Sequence, residues 1–160
     1  MAGVAIGFGI KQVVSSGSPG LDRDGLPISP VSSQAVSSRA PAHLVYPGAN
    51  TLRAIGAGES RYPAEGVTNS AFAGAVLVTQ DSPTQVYSWY KDRLTADGWK
   101  PYQLAALLST QLSAQGYHRN TREYFVVAID DPHQLSSVIS QHVPARATIV
   151  EFRYTIAAGQ

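Results

Sequence analysis

Apolar and polar residues alternate with different periods in successive blocks of this chain, and each change of period marks a new element. Ala73 to Gln80 (AGAVLVTQ) is a nearly continuous apolar run centred on Val76, Leu77 and Val78, which predicts a buried strand. The period then switches. Val86, Trp89, Tyr90 and Leu94 recur at the three- and four-residue spacing of one helix face. Ser82-Pro83-Thr84-Gln85 supplies the start of that helix: a hydroxyl to accept from a free backbone N–H, a proline suited to the first helical position, and a glutamine able to complete a capping box. Gly98 is placed to end it in the left-handed conformation, with Trp99 folding back on Leu94. Trp89, Tyr90 and Trp99 are therefore expected as core anchors, not as a cofactor stack.

Tyr102 to Gln115 carries Leu104, Leu107, Leu108 and Leu112 at helical spacing, with Gly116 as a stop. A second helix is the preferred reading and a pair of strands the alternative. Arg122 to Asp130 is the most β-like run: Tyr124, Val126 and Ala128 oppose Phe125, Val127 and Ile129, so both faces are apolar and a central strand is expected. Asp131-Pro132-His133-Gln134 repeats the capping pattern and predicts a short helix through Leu135, Val138 and Ile139. Ala147 to Ile156 alternates, with Val150, Phe152, Tyr154 and Ile156 inward and Glu151, Arg153 and Thr155 toward water. A further strand is expected near His43 to Tyr46. The resulting order, strand, helix, helix, strand, helix, strand, predicts an α+β fold. Its sheet would be open and largely antiparallel, with the helices on one face.

Ahead of this domain the pattern changes character. Met1 to Val14 is an apolar segment interrupted by Lys11 and Gln12, shorter than the roughly 20 residues of a membrane span. Ser15 to Ala42 is rich in serine and proline, a composition that buries little apolar surface and reads as a flexible linker. The expected organisation is an apolar segment over 1–14, a linker over 15–42 and the α+β domain over 43–160. Three readings of the first segment compete: the outer end of a membrane helix that begins before Met1, a packing arm, or a disordered tail.

At 160 residues the chain suits one domain. Charged residues make up 14% and the formal net charge is +1, so no basic field exists to hold a phosphate backbone and nucleic acid is not an expected partner. The absence of cysteine removes disulfides, thiolate metal sites and a cysteine nucleophile. His43, His118, His133 and His142 include no pair with zinc-site spacing. Asp130, Asp131 and His133 form a small polar cluster, but capping already explains Asp131. Gly58-Glu59-Ser60 lacks the frame of a nucleophile elbow, and Gly56-Ala57-Gly58 lacks the third glycine of a dinucleotide loop. No catalytic, cofactor-binding or metal-binding residue is assigned. The densest polar group is Tyr117, His118, Arg119, Asn120, Arg122 and Glu123. It reads either as a solvated turn or as a recognition edge, in which case Tyr117, His118, Arg119 and Arg122 are the candidate partner-binding residues.

Tyr46-Pro47-Gly48-Ala49, then Asp81-Ser82-Pro83, then Val86, Trp89, Tyr90, Leu94 and Gly98-Trp99 together resemble a pattern in uncharacterised bacterial exported proteins. Those chains carry a membrane or lipid anchor before a small α+β domain. The resemblance implies a non-enzymatic extracytoplasmic domain. The apolar segment, the linker and the missing catalytic set lead to the expectation that it is membrane-anchored through its N-terminal segment and binds a protein partner or forms a homo-oligomer, without a cofactor. Two alternatives stand beside it. One is a small-molecule site between helix and sheet walled by Tyr87, Tyr102, Tyr117 and Tyr124; the other is a structural protein assembling through its N-terminal arm. A hydrolase built on Asp130, Asp131 and His133 ranks behind these.

Overall fold

The computed structural model describes residues 20–134 and 143–158. Within them, strands β1 (Asn50–Ala57), β4 (Ala71–Thr79), β5 (Lys100–Tyr102), β6 (Gln111–His118), β7 (Glu123–Asp130) and β8 (Thr148–Ile156) form one antiparallel sheet in the order β1-β4-β8-β7-β6-β5. Strands β2 (Ser60–Tyr62) and β3 (Val67–Asn69) make a separate hairpin. Helices α1 (Ser33–Ser37) and α2 (Pro83–Ala96) both bury side chains in the core on one face of the large sheet. The α+β class with helices on one face is the architecture the hydrophobic pattern predicts. The expected helix through Leu135, Val138 and Ile139 lies outside the described residues beyond a 3-10 turn at Pro132–Gln134, and Met1 to Val14 lies outside them as well. No helix among the described residues is long and apolar enough to cross a membrane.

Helix α2 begins and ends by the mechanism its sequence encodes. The Ser82 N–H donates to Gln85 Oε1 at 2.9 Å while the Gln85 N–H donates to Ser82 Oγ at 3.4 Å, closing the capping box. At the other end Gly98 has φ +83°, and the Trp99 N–H returns to the Leu94 carbonyl at 3.0 Å. Val86, Tyr90 and Leu94 are buried against the sheet. There Tyr90 packs 5.9 Å from Phe125, Phe125 stacks on Phe152 at 5.8 Å, and Trp99 stands edge-on to Tyr154 at 6.2 Å. Truncating any of these rings to alanine is expected to cost about 3–5 kcal/mol. The seam between the buried face of α2 and the central strands is thus occupied by the protein's own rings.

The linker expected over 15–42 is corrected from Gly20 onward. Leu26, Val31 and Val36 are buried in the same core as Phe125 and Phe152. The serines and prolines between them are spent on turns and caps instead of disorder. Ser32 Oγ accepts from the Ala35 N–H at 3.1 Å to start α1, and Asp22 Oδ1 accepts from Asp24 and Leu26 N–H groups, each at 2.9 Å. Composition alone hides this, because three apolar side chains at five-residue spacing are enough to anchor the segment.

The helix expected over 102–115 is also corrected: the chain there forms β5, an irregular loop, and β6. Strand β7 is apolar on both faces and needs backbone partners on both edges. β6 supplies one of them, pairing from Gln111 opposite Asp130 to His118 opposite Tyr124. Ladder pairing outweighs the helical spacing of four leucines, three of which then have no surface to bury. The strand expected near His43 to Tyr46 is instead a 3-10 turn at Ala40–His43 followed by an irregular stretch in which Tyr46 is buried. In β8, Val150, Phe152, Tyr154 and Ile156 point into the core as expected, but Glu151 is buried on the opposite face instead of facing water.

Candidate functional site

The polar group singled out in the sequence turns out to be a clasp. Arg119 holds Glu123 through Nη2 at 2.7 Å and Nε at 3.1 Å, while Asn120 Nδ2 and the Tyr154 hydroxyl donate to the same carboxylate at 2.7 and 2.5 Å. Burial works to raise the Glu123 pKa, but these hydrogen bonds and the Arg119 charge outweigh it and hold the group below its ordinary value. The Arg119 guanidinium also lies 4.9 Å over the Trp99 ring. Arg122 pairs with Asp22 and donates to the Pro27 carbonyl at 2.8 Å and the Ala157 carbonyl at 3.0 Å. It thereby joins the first described turn to the end of β8. Arg119 and Arg122 are both held in internal ion pairs and Glu123 is buried, so the group is not a freely solvated turn. His118 lies edge-on to Tyr102 at 6.2 Å, and Tyr117 is buried.

Tyr117 leads to a different site at the β5–β6 edge. Gly116 is the reason the site exists: a Cβ there would lie 2.6 Å from Tyr102 Cε1 and 3.0 Å from Leu104 Cδ2. With no side chain in the way, the Tyr102 ring and Leu104 rest directly on the β6 backbone. Tyr102 is further fixed edge-on to Tyr124 at 5.6 Å. Beyond Leu104 the loop is pinned where Leu108 N–H donates to Gln111 Oε1 and Gln111 N–H donates to the Leu108 carbonyl, both at 3.0 Å. A groove of about 500 Å³ opens between this loop, β6 and α2, bordered by Tyr102, Leu104, Leu107, Gln115, Tyr117 and Lys91. Along the loop, Leu107 is 48% exposed, Leu108 50% and Leu112 61%. Leu112 sits at a register shift in β6 between Gln111 and Ser113, a bulge that re-aims its side chain.

The polar atoms of the groove are mostly donors. The Tyr117 hydroxyl donates to Gln115 Oε1 at 2.8 Å, which leaves the Gln115 amide nitrogen available. Burial raises the pKa of Tyr117 and of Tyr102, so both phenols stay protonated. No acidic side chain borders the groove. Of the tyrosines expected to wall a pocket, Tyr102 and Tyr117 meet here. Tyr87 instead bonds Ser113 Oγ at 2.8 Å, and Tyr124 supports Tyr102 from the side.

The other sequence candidates do not assemble. Asp131 Oδ1 accepts from the His133 N–H at 2.9 Å as a turn cap. Asp130, one residue earlier, is buried on the sheet face opposite the helices, where its charged neighbours are Glu151 and Arg153. Among the described residues no cluster of three His, Cys, Asp or Glu side chains is arranged to hold a metal. In the sequence Leu104 and Leu107 read as one face of a helix and Tyr102 as a pocket wall; the signal that could have joined them is Gly116, where a strand edge leaves room for an aromatic ring. No family model, curated protein or solved structure matches this chain.

Proposed function

We propose that this chain is a non-enzymatic interaction domain that binds a protein partner at the leucine-rimmed groove beside β5 and β6. The observation that carries the reading is an apolar groove bordered by Leu104 and the half-exposed Leu107, with Leu108 exposed at the next loop position and Leu112 exposed at the start of β6. Isolated exposed apolar residues are ordinary, whereas a contiguous group beside a concavity is the anatomy of a docking surface. Covering three half-exposed leucines would contribute about 1 kcal/mol apiece before the costs of association. That magnitude suits a modest, exchangeable complex. The apolar run of Met1 to Val14 and the resemblance to anchored exported proteins support a location at a membrane on its extracytoplasmic side.

A photo-reactive residue in place of Leu108, introduced in native cells, tests the binding. The expected result is one dominant polypeptide adduct that disappears when Leu107→Asp is added. Adducts that are absent, or that persist unchanged in the variant, would sink the reading. Fractionation of the native gene product tests the location, and recovery only in the soluble cytoplasmic fraction would remove that part of the proposal.

A further inference from the structure

The chemistry of the groove also says what kind of segment it accepts, an inference that rests on the partner-binding reading above. Its floor and walls are largely apolar, through Tyr102, Leu104, Leu107 and Pro101. The single charged side chain on its border is Lys91, from the exposed side of α2. Arg93, on the same helix, pairs instead with Asp97, and Arg119, just past β6, with Glu123. Lys91 has no ion-pair partner among the described residues. Asp92, next along the helix, lies near enough to raise the Tyr117 pKa, yet it does not border the groove. The lysine ammonium, the Gln115 amide nitrogen and the Tyr102 hydroxyl therefore form a set that offers hydrogens and lacks acceptors of full charge.

From this we infer that the groove selects a polypeptide segment in which a large apolar side chain lies beside a carboxylate. The apolar side chain would occupy the space over Tyr102 and Leu104, and the carboxylate would face Lys91. A polypeptide fits better than a free fatty acid. The groove is open to solvent along its length, whereas a long alkyl chain needs enclosure. Apolar contacts at the centre with a charge at the rim is also the usual layout of a protein–protein contact. A rim lysine adds selectivity more than affinity: an exposed ion pair corresponds to about a two- to fivefold preference.

The experiment is selection of a random peptide display library on the immobilised full chain, run in parallel on Lys91→Glu and Leu107→Asp. Thermal unfolding first checks that both variants are folded, which is expected because both positions are exposed. The parent should enrich peptides that place Leu, Ile, Phe or Trp next to Asp or Glu. Lys91→Glu should lose the acidic preference and move toward Lys or Arg, and Leu107→Asp should lose enrichment altogether. For the best peptide, Glu→Gln should weaken binding to the parent by about two- to fivefold and leave binding to Lys91→Met unchanged. Apolar enrichment with no acidic bias, identical in parent and Lys91→Glu, would overturn this inference while leaving the docking surface in place. Enrichment indifferent to Leu107→Asp would overturn the docking surface itself. Concentration-dependent dimerisation abolished by Leu107→Asp, with no peptide enriched, would assign the groove to a second copy of the chain and overturn the acidic-segment inference.

Discussion

Replacing Asp130 with asparagine should stabilise this protein at neutral pH and flatten its pH dependence. Asp130 ends β7 on the sheet face opposite the helices, 5% exposed, and its Oδ1 has no hydrogen-bond partner among the described residues. Burial, followed by the negative charge of Glu151 on the adjacent strand, pushes its pKa from 3.8 up to about 6, with Arg153 opposing. Arg153 cannot oppose strongly, because its guanidinium is bonded to Glu151 at 2.6 Å. A carboxyl that binds its proton more tightly when folded favours folding while protonated. The folded state holds more protons than the unfolded state between the two pKa values, so stability falls as pH rises through that interval. The shift from 3.8 to about 6 corresponds to about 3 kcal/mol. Asparagine keeps the volume and removes the charge. Urea unfolding of parent and Asp130→Asn across the acid-to-neutral range should give free energies that converge at about pH 4 and separate through about pH 6. Above about pH 7 the variant should be the more stable by up to ~3 kcal/mol. Glu123 and Glu59 have lowered pKa values and contribute the opposite slope, but they are common to both proteins and cancel in the difference. Parallel profiles, or a variant less stable than the parent at neutral pH, would refute the argument.

Further outcomes follow from the clasp, the helix cap and the groove floor. Arg122→Ala should lower stability by about 2–4 kcal/mol in urea, and limited proteolysis with fragment mass analysis should show new cuts between Gly20 and Pro27 that the parent resists. Ser82→Ala removes the side-chain acceptor at the start of α2 and should cost about 1 kcal/mol by thermal or chemical unfolding. Gly116→Ala drives a methyl group into Tyr102 and Leu104; it should reduce crosslinking from the Leu108 position more than Ser82→Ala does, because it disturbs the groove as well as stability.

The central strands and α2 were legible because burial imposes a pattern on them. Val76 to Val78, the two-faced apolar run of β7 and the alternation of β8 each announce a buried strand, and Ser82 to Gln85 announces a helix start. β1 was not legible. Its residues Asn50–Ala57 are exposed or half-buried along the whole strand, so no apolar alternation marks an element whose place is set mainly by pairing with β4. β6 reads as polar (QLSAQGYH) for a related reason: apart from Tyr117, which enters the core, its place is set by pairing with the edge of β7. The leucines of the 103–112 stretch were seen and misassigned, because helical spacing normally means burial and here it does not. The Arg122 clasp was seen as a polar cluster. Its partner Asp22, far away in sequence, was assigned to a linker.

Leucines that serve a partner must be surplus to the fold. The decisive measurement is the urea unfolding free energy of the full chain carrying Leu107→Asp, Leu108→Asp and Leu112→Asp together. Side chains that wait for a partner can be replaced with little loss, so the triple variant should unfold within about 1 kcal/mol of the parent while enriching no peptide in the display selection. A loss beyond about 3 kcal/mol would place the leucines in the core and contradict the account.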